Sequence, residues 1–201
     1  MKTSLFVDRS TEMQSVALVR DGAVAAERTL SGLDSRSGEW VVEVRDFIGG
    51  AELSEIVVGT GPGSFAGIRA ALAFAQGYAI GAGCEVKGLP SVCALAPEEG
   101  PLAVVGDARR GMLWFALFEG RALVGGIRQA EAGELARFVP DGVRVVTTDE
   151  RRIGATLADM FPGRYDGGAA PTAGGLARAA IANPSLLVSE PLPVYLNPAV
   201  R

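Results

Sequence analysis

Apolar and polar positions alternate between two periods along this chain. Residues 4–7 read as a buried strand ending in Asp8, and residues 15–20 as a second strand. Asp21-Gly22 is a hairpin turn signal, followed by a third strand over 23–30. The spacing then becomes helical, with Trp40, Val41, Val44 and Ile48 on one face of a helix over 39–48. A β-branched run, Ile56-Val57-Val58, breaks at Gly59, Gly61, Pro62 and Gly63, and a long helix runs over 64–81. A short strand at 85–87 and a helix over about 91–96 follow.

The second half repeats the order. Residues 102–105 form an apolar strand leading to Asp107; strands at 112–118 and 122–129 flank the turn Glu119-Gly120. A helix at 131–138 and a strand at 143–146 come next. A strand ending in Asp, a strand, an acid-Gly turn and a third strand therefore occur twice, roughly a hundred residues apart. The pattern closes with a helix at 153–160, a Gly-rich loop at Gly167-Gly168, a helix at 171–182 and a Pro-stiffened tail from Pro191 to Pro198. The boundary falls in the polar run 97–101, dividing the chain into lobes 1–98 and 99–201. This order predicts a two-lobed α/β protein of the actin-like, Hsp70-like (ASKHA) class, an RNase H-like duplication with a reduced second lobe. In such a fold Asp8 and Asp107 face a cleft as metal-water ligands or a general base; the plainer alternative is that each caps its strand end.

The helix at 64–81 is apolar on almost every side. Its only charge is Arg69 and its only amide side chain Gln76, on one narrow line that is either solvated or a contact. Gly67, Ala71, Ala75 and Ala79 make a small-residue stripe. A helix apolar all round is covered on both sides, so one face belongs on the sheet and the other under more chain or a partner. Arg69 and the low transfer energy of Ala and Gly argue against a membrane span. Gly61 and Gly63 permit unusual backbone, and Ser64 suits an N-cap; unpaired amides at that helix start would form a local anion site.

Composition narrows the chemistry. With 48% hydrophobic and 21% charged residues, the chain is globular rather than disordered. Net charge is −4, and every basic residue except Lys2 and Lys87 is Arg; Arg109-Arg110 and Arg151-Arg152 are the only adjacent pairs. That argues against tight RNA binding by this chain alone. There is no histidine, which removes His-ligated zinc and Ser-His-Asp or Cys-His catalysis. Cys84 and Cys93 lack metal or redox spacing. The apolar run before Asp8 is too short for a secretory segment, and a soluble cytoplasmic protein is expected.

Gly61-Pro-Gly-Ser-Phe-Ala-Gly-Ile-Arg69 closely resembles the G-P-G-S-F-T-G-[LI]-R signature of the TsaB (YeaZ) family. The opening from Leu5 to Leu18 resembles that family's strand followed by D-T-S-T and S-V-A-L, Asp107-Ala-Arg-Arg110 its D-A-R-[RM], and Val194-Tyr-Leu196 its closing Y-L. The resemblance implies a scaffold without catalysis of its own in making threonylcarbamoyladenosine beside the tRNA anticodon. It also implies a catalytic TsaD-like paralogue and a TsaE-like ATPase as partners, a homodimer in isolation, and tRNA contact only through the complex. It implies no peptidase activity. Weak ATP or ADP binding is the cofactor expectation, at a phosphate hairpin of Asp8, Ser10 and Thr11 with Asp107. The helix start is Gly61, Gly63, Ser64, Phe65 and Gly67; Ile68, Arg69, Leu72, Ala75, Gln76 and Ala79 form the partner face. Arg9 and Ala66 depart from the family's threonines at those positions.

Two other readings compete. Residues 61–66 also satisfy G-x-G-x-x-A, with Glu85 about twenty residues on, as in dinucleotide binding. A small actin-like kinase using Asp8 and Asp107 is the stronger enzyme alternative.

Overall fold

The computed structural model describes residues 2–30 and 38–196. Its compact units are discontinuous: the described residues up to Ala94 belong with Pro171–Val194, and Leu95–Ala170 with Tyr195 and Leu196.

The first unit is built on β1 (Thr3–Asp8), β2 (Ser15–Arg20), β3 (Ala23–Thr29), β4 (Glu55–Gly59) and β5 (Glu85–Leu89). They form one sheet in the order β3-β2-β1-β4-β5. The β1–β2 and β2–β3 pairs are antiparallel, and β1–β4 and β4–β5 are parallel. Both β1 and β4 are buried along their whole length, as strands covered on two faces must be. One face, carrying Leu5, Val7, Ile56 and Val58, packs against α1 (Glu39–Ile48) and α2 (Phe65–Ala82). A later helix, α4 (Ala173–Ala182), lies against β1, β2 and β3.

The second unit repeats the connectivity. Its strands β6 (Pro101–Arg109), β7 (Met112–Glu119), β8 (Ala122–Glu131), β9 (Arg144–Thr147) and β10 (Tyr165–Gly168) take the order β10-β9-β6-β7-β8. The pattern of antiparallel and parallel pairs is the same. Val105, Phe115 and Val145 pack with Leu157 of α3 (Glu150–Met160) and with Phe161. Two copies of a mixed 3-2-1-4-5 sheet are the duplicated RNase H-like arrangement of the actin-like class. The second copy is reduced: a 3-10 turn, Ala132–Arg137, follows its third strand where the first unit has α1.

Several local expectations shift. The helix at 131–138 is instead the end of β8 and that 3-10 turn, since Leu135 is its only buried side chain. The segment after Pro90 is 3-10 over Ser91–Leu95, with Ser91 tied to Gly61. Gly167-Gly168 belongs to strand β10, paired with β9. The division differs from 98/99 as well, because α4 and the chain as far as Val194 return to the first unit. Val188 pairs with Gly88, and the Val194 N–H donates to the Thr60 carbonyl. Asn197-Pro198 of the tail lies outside the described residues. Among the described residues, no helix is long and apolar enough to cross a membrane.

Leu176 of α4 is fully buried, whereas Ile181 on the same helix is exposed. Leu176→Ala should therefore cost about 2–5 kcal/mol in urea unfolding, and Ile181→Ala no more than about 0.5 kcal/mol. Hydrogen exchange on Leu176→Ala should rise in β1–β3 before it rises in β6–β9. The reverse order would overturn the assignment of α4 to the first unit.

Candidate functional site

The glycine signature links β4 to α2, and its loop is pressed onto the β1–β2 connection. The Ser64 N–H donates to the Ser10 carbonyl at 2.7 Å. Contact is so close that a Cβ at Gly63 would stand 2.1 Å from the Ser10 carbonyl oxygen, and one at Gly67 2.1 Å from that of Arg9. Glycine at both positions is a packing requirement. The loop's other side is held by Ser91, whose hydroxyl accepts from the Gly61 N–H at 2.9 Å and whose N–H donates to the Gly61 carbonyl at 2.6 Å. Ser64 caps α2 as its residue type suggests, accepting from the Gly67 N–H at 3.2 Å. The anion site expected at this helix start thus has two of its amides bound by the protein's own oxygens.

Asp8 lies beneath this clamp with no exposed surface. Its Oδ1 accepts from the Ser10 N–H at 2.9 Å and the Ser10 hydroxyl at 2.7 Å. Its Oδ2 is buried against Gly59 without a partner of good geometry, and the Ser91 hydroxyl is the nearby donor. Burial pushes the Asp8 carboxyl above its ordinary value, opposed by the hydrogen bonds from Ser91 and Ser10. Asp107 makes the same hydrogen bond in the second unit, its Oδ1 accepting from the Arg109 N–H at 2.7 Å. Of the two roles left open for these aspartates, capping the strand end is the one seen in both units. Ser10 is buried and Thr11 half-buried, its hydroxyl donating to the Met13 carbonyl. The expected phosphate hairpin is therefore closed over Asp8 and Ser10.

Arg9 turns into the unit, not toward a phosphate. Its Nε donates to Gln14 Oε1 at 2.6 Å, and its guanidinium stacks 4.0 Å over the Trp40 ring. Burial lowers its pKa to about 10, which leaves it protonated at neutral pH. A second helix start is also filled from within. Glu27 accepts from the Gly174 N–H at 2.9 Å, Ser15 from Ala173 at 2.8 Å, and Thr172 from Gly175 at 3.0 Å. Neither Glu27 nor Ser15 carries a sequence signal for this role.

The partner face of α2 needs correction. Ile68, Leu72 and Ala75 point into the core, and the stripe Gly67, Ala71, Ala75 serves close packing on the protein's own sheet. Arg69 and Gln76 are exposed and Ala79 is half-buried. Arg69 lies 4.9 Å from the Phe65 ring, itself 56% exposed. The outward side is an apolar groove of about 490 Å³ between α1 and α2, lined by Trp40, Val41, Ala70, Ala73, Phe74, Gly77 and Tyr78. Trp40 meets Phe74 edge-on at 5.2 Å, and Phe74 meets Tyr78 at 5.8 Å. Beyond it Ile80 stands 87% exposed. The dinucleotide reading fails on two points: Ser10 occupies the glycine turn, and Glu85 begins β5 instead of ending it. Among the described residues, no three His, Cys, Asp or Glu side chains are grouped to hold a metal ion.

The family model described as TsaD, tRNA N6-adenosine threonylcarbamoyltransferase, matches residues 48–136. The chain is 32% identical over 126 residues to the tRNA threonylcarbamoyladenosine biosynthesis protein TsaB of Escherichia coli, covering 57% of this chain and 54% of that protein. It is 28% identical over 148 residues to TsaB of Bacillus subtilis, covering 69% and 60%. It thus spans a little over half the length of the curated relatives it matches. The solved structure of YeaZ from Pseudomonas aeruginosa superposes with a TM-score of 0.75 at 26% identity, over 98% of this chain and all of that one.

Asp8→Asn tests the clamp. A carboxyl raised by burial keeps its proton in the folded state while the unfolded chain ionises, so wild type loses stability as pH rises from about 4 through the folded value. Asn cannot ionise. The stability difference, variant minus wild type, should therefore grow with pH across that window in urea titrations and level off above it. A difference independent of pH would mean that folding does not shift the Asp8 carboxyl from its ordinary value.

Proposed function

The chain is a member of the TsaB/YeaZ family, and on that premise we propose that it is a non-catalytic subunit in the synthesis of tRNA N6-threonylcarbamoyladenosine. It supports a TsaD-like transferase, with a TsaE-like ATPase, in passing the threonylcarbamoyl group to the adenosine beside the anticodon. The observation that carries this reading is the open apolar groove between α1 and α2, with Phe65 and Ile80 exposed on α2. Buried aromatic anchors in such a groove are what a protein interface needs at its centre. A TsaD-like paralogue, or a second copy when the chain is alone, is its occupant. The family model matched over 48–136 spans α2, in keeping with a partner of related fold. Filling of the α2 and α4 starts by Ser10, Glu27 and Ser15 supports a role without phosphate chemistry, and the buried Asp8 counts against the kinase alternative.

The test is threonylcarbamoyl transfer to substrate tRNA by the cognate TsaD-like and TsaE-like proteins, with threonylcarbamoyl-AMP supplied. Modification should require this chain, and the chain alone should give none. Gly77→Arg puts a long charged side chain into the groove at a position where a Cβ meets nothing within 4 Å, and it favours the helix. It should leave the fold intact, make the isolated chain monomeric in sedimentation, and reduce supported modification by at least about tenfold. Unchanged modification when the chain is omitted would overturn the proposal; a dimeric, fully active Gly77→Arg would overturn the groove.

A further inference from the structure

The two adjacent arginine pairs of the sequence, forty-two residues apart, meet at one end of the second unit. Pairing of β6 with β9 sets the hairpin tip after β6 beside the start of α3. Arg109 and Arg152 both approach Asp107 Oδ2, at 3.4 and 3.5 Å, with side chains 61% and 55% exposed. These links are long and exposed, and each uses one of a guanidinium's five N–H donors. Of the acids nearby, Asp107, Asp149 and Glu150 are turned toward their own chain, and Glu131 stands exposed opposite Met112. Asp107 and Asp149 accept backbone N–H groups, and Asp149 also lies within reach of the Thr148 hydroxyl. Glu150 accepts from the Tyr165 hydroxyl. Arg110 and Arg151 are exposed beside them.

The hairpin tip supplies an independent observation. Arg109 and Arg110 both have positive φ, 69° and 55°, before Gly111 at 78°. Tight turns of this hand favour Asn, Asp or Gly, and the β2–β3 turn of the same protein uses Asp21-Gly22. Two long cationic side chains in left-handed backbone are a local conflict of the kind that points to function, not folding.

We propose that Arg109, Arg110, Arg151 and Arg152 form a contact for the phosphate backbone of RNA. The proposal rests on the tRNA-modification reading and names the surface by which this subunit touches the substrate once the complex is assembled. Guanidinium forks suit phosphate oxygens bidentately, and the end of a mixed sheet carrying the carboxyl ends of its parallel strands is where such folds receive ligands. The net charge of −4 is consistent with a contact too weak to hold RNA alone.

The test uses the assembled complex with TsaD-like and TsaE-like partners. Arg109→Ser, Arg110→Gly, Arg151→Gln and Arg152→Gln are combined; glycine at 110 suits the positive φ. Affinity for labelled tRNA should weaken roughly tenfold, and the slope of log affinity against log salt should fall by about 0.9 for each duplex phosphate that the variant no longer neutralises. The KM for tRNA should rise while kcat at saturating tRNA holds and sedimentation shows an intact complex. Unchanged affinity and slope would overturn the proposal. Loss of assembly would also overturn it, assigning the arginines to an acidic protein face. Both outcomes differ from failure of the functional reading itself, in which omitting the wild-type chain leaves modification unaffected.

Discussion

Everything distinctive in the first unit depends on the seating of the Arg9-Ser10 backbone on Gly63 and Gly67. The single Ser64–Ser10 hydrogen bond contributes only about 1 kcal/mol net, so its strength is not the point. The approach excludes every side chain at two positions and thereby fixes where α2 starts relative to β1. Once that start is set, the helix can bury Ile68, Leu72 and Ala75 in only one direction. The opposite side, with Ala70, Ala73 and Gly77, is left to form the groove with α1. A signature that reads as a ligand loop works here as a structural clamp that leaves an apolar groove open between α1 and α2.

The same clamp consumes polar capacity. The start of a long helix favours negative charge through its unpaired amides, and in this unit the protein supplies the acceptors itself. Ser10 and Ser64 do so at α2, and Glu27, Ser15 and Thr172 at α4. Asp8 is closed in beneath Gly59, and burial favours its neutral form. Arg9 is drawn the other way, over Trp40, where its planar cation backs the ring that meets Phe74. The hairpin thus serves the helix face behind it.

Duplication set the same aspartate hydrogen bond in different surroundings. Asp8 and Asp107 each accept the N–H two residues on. The first is sealed by the glycine loop; the second keeps part of its side chain exposed and is flanked by arginines on β6 and α3. Divergence between the copies therefore lies in the loop that follows the aspartate and in what surrounds it, since the hydrogen bond itself is common to both.

Much of this was legible in the chain. Periods of two and 3.6 located every strand but β10, together with α1, α2 and the repeat, because strand and helix faces must bury alternate or every third and fourth residue wherever a core exists. The signature marked the clamp because a side chain at Gly63 or Gly67 would strike the backbone of Arg9 and Ser10. What the chain could not reveal was direction. An all-round apolar helix carries almost no facial contrast, so which of Leu72 and Gly77 turned inward was decided by the seat of Gly63 and Gly67 on a loop fifty residues earlier. Likewise Glu27 reached Gly174 and α4 joined the first unit only through long-range packing. Local sequence determines the long periodic elements; contacts between residues far apart in the chain decide the short ones and which faces are left open.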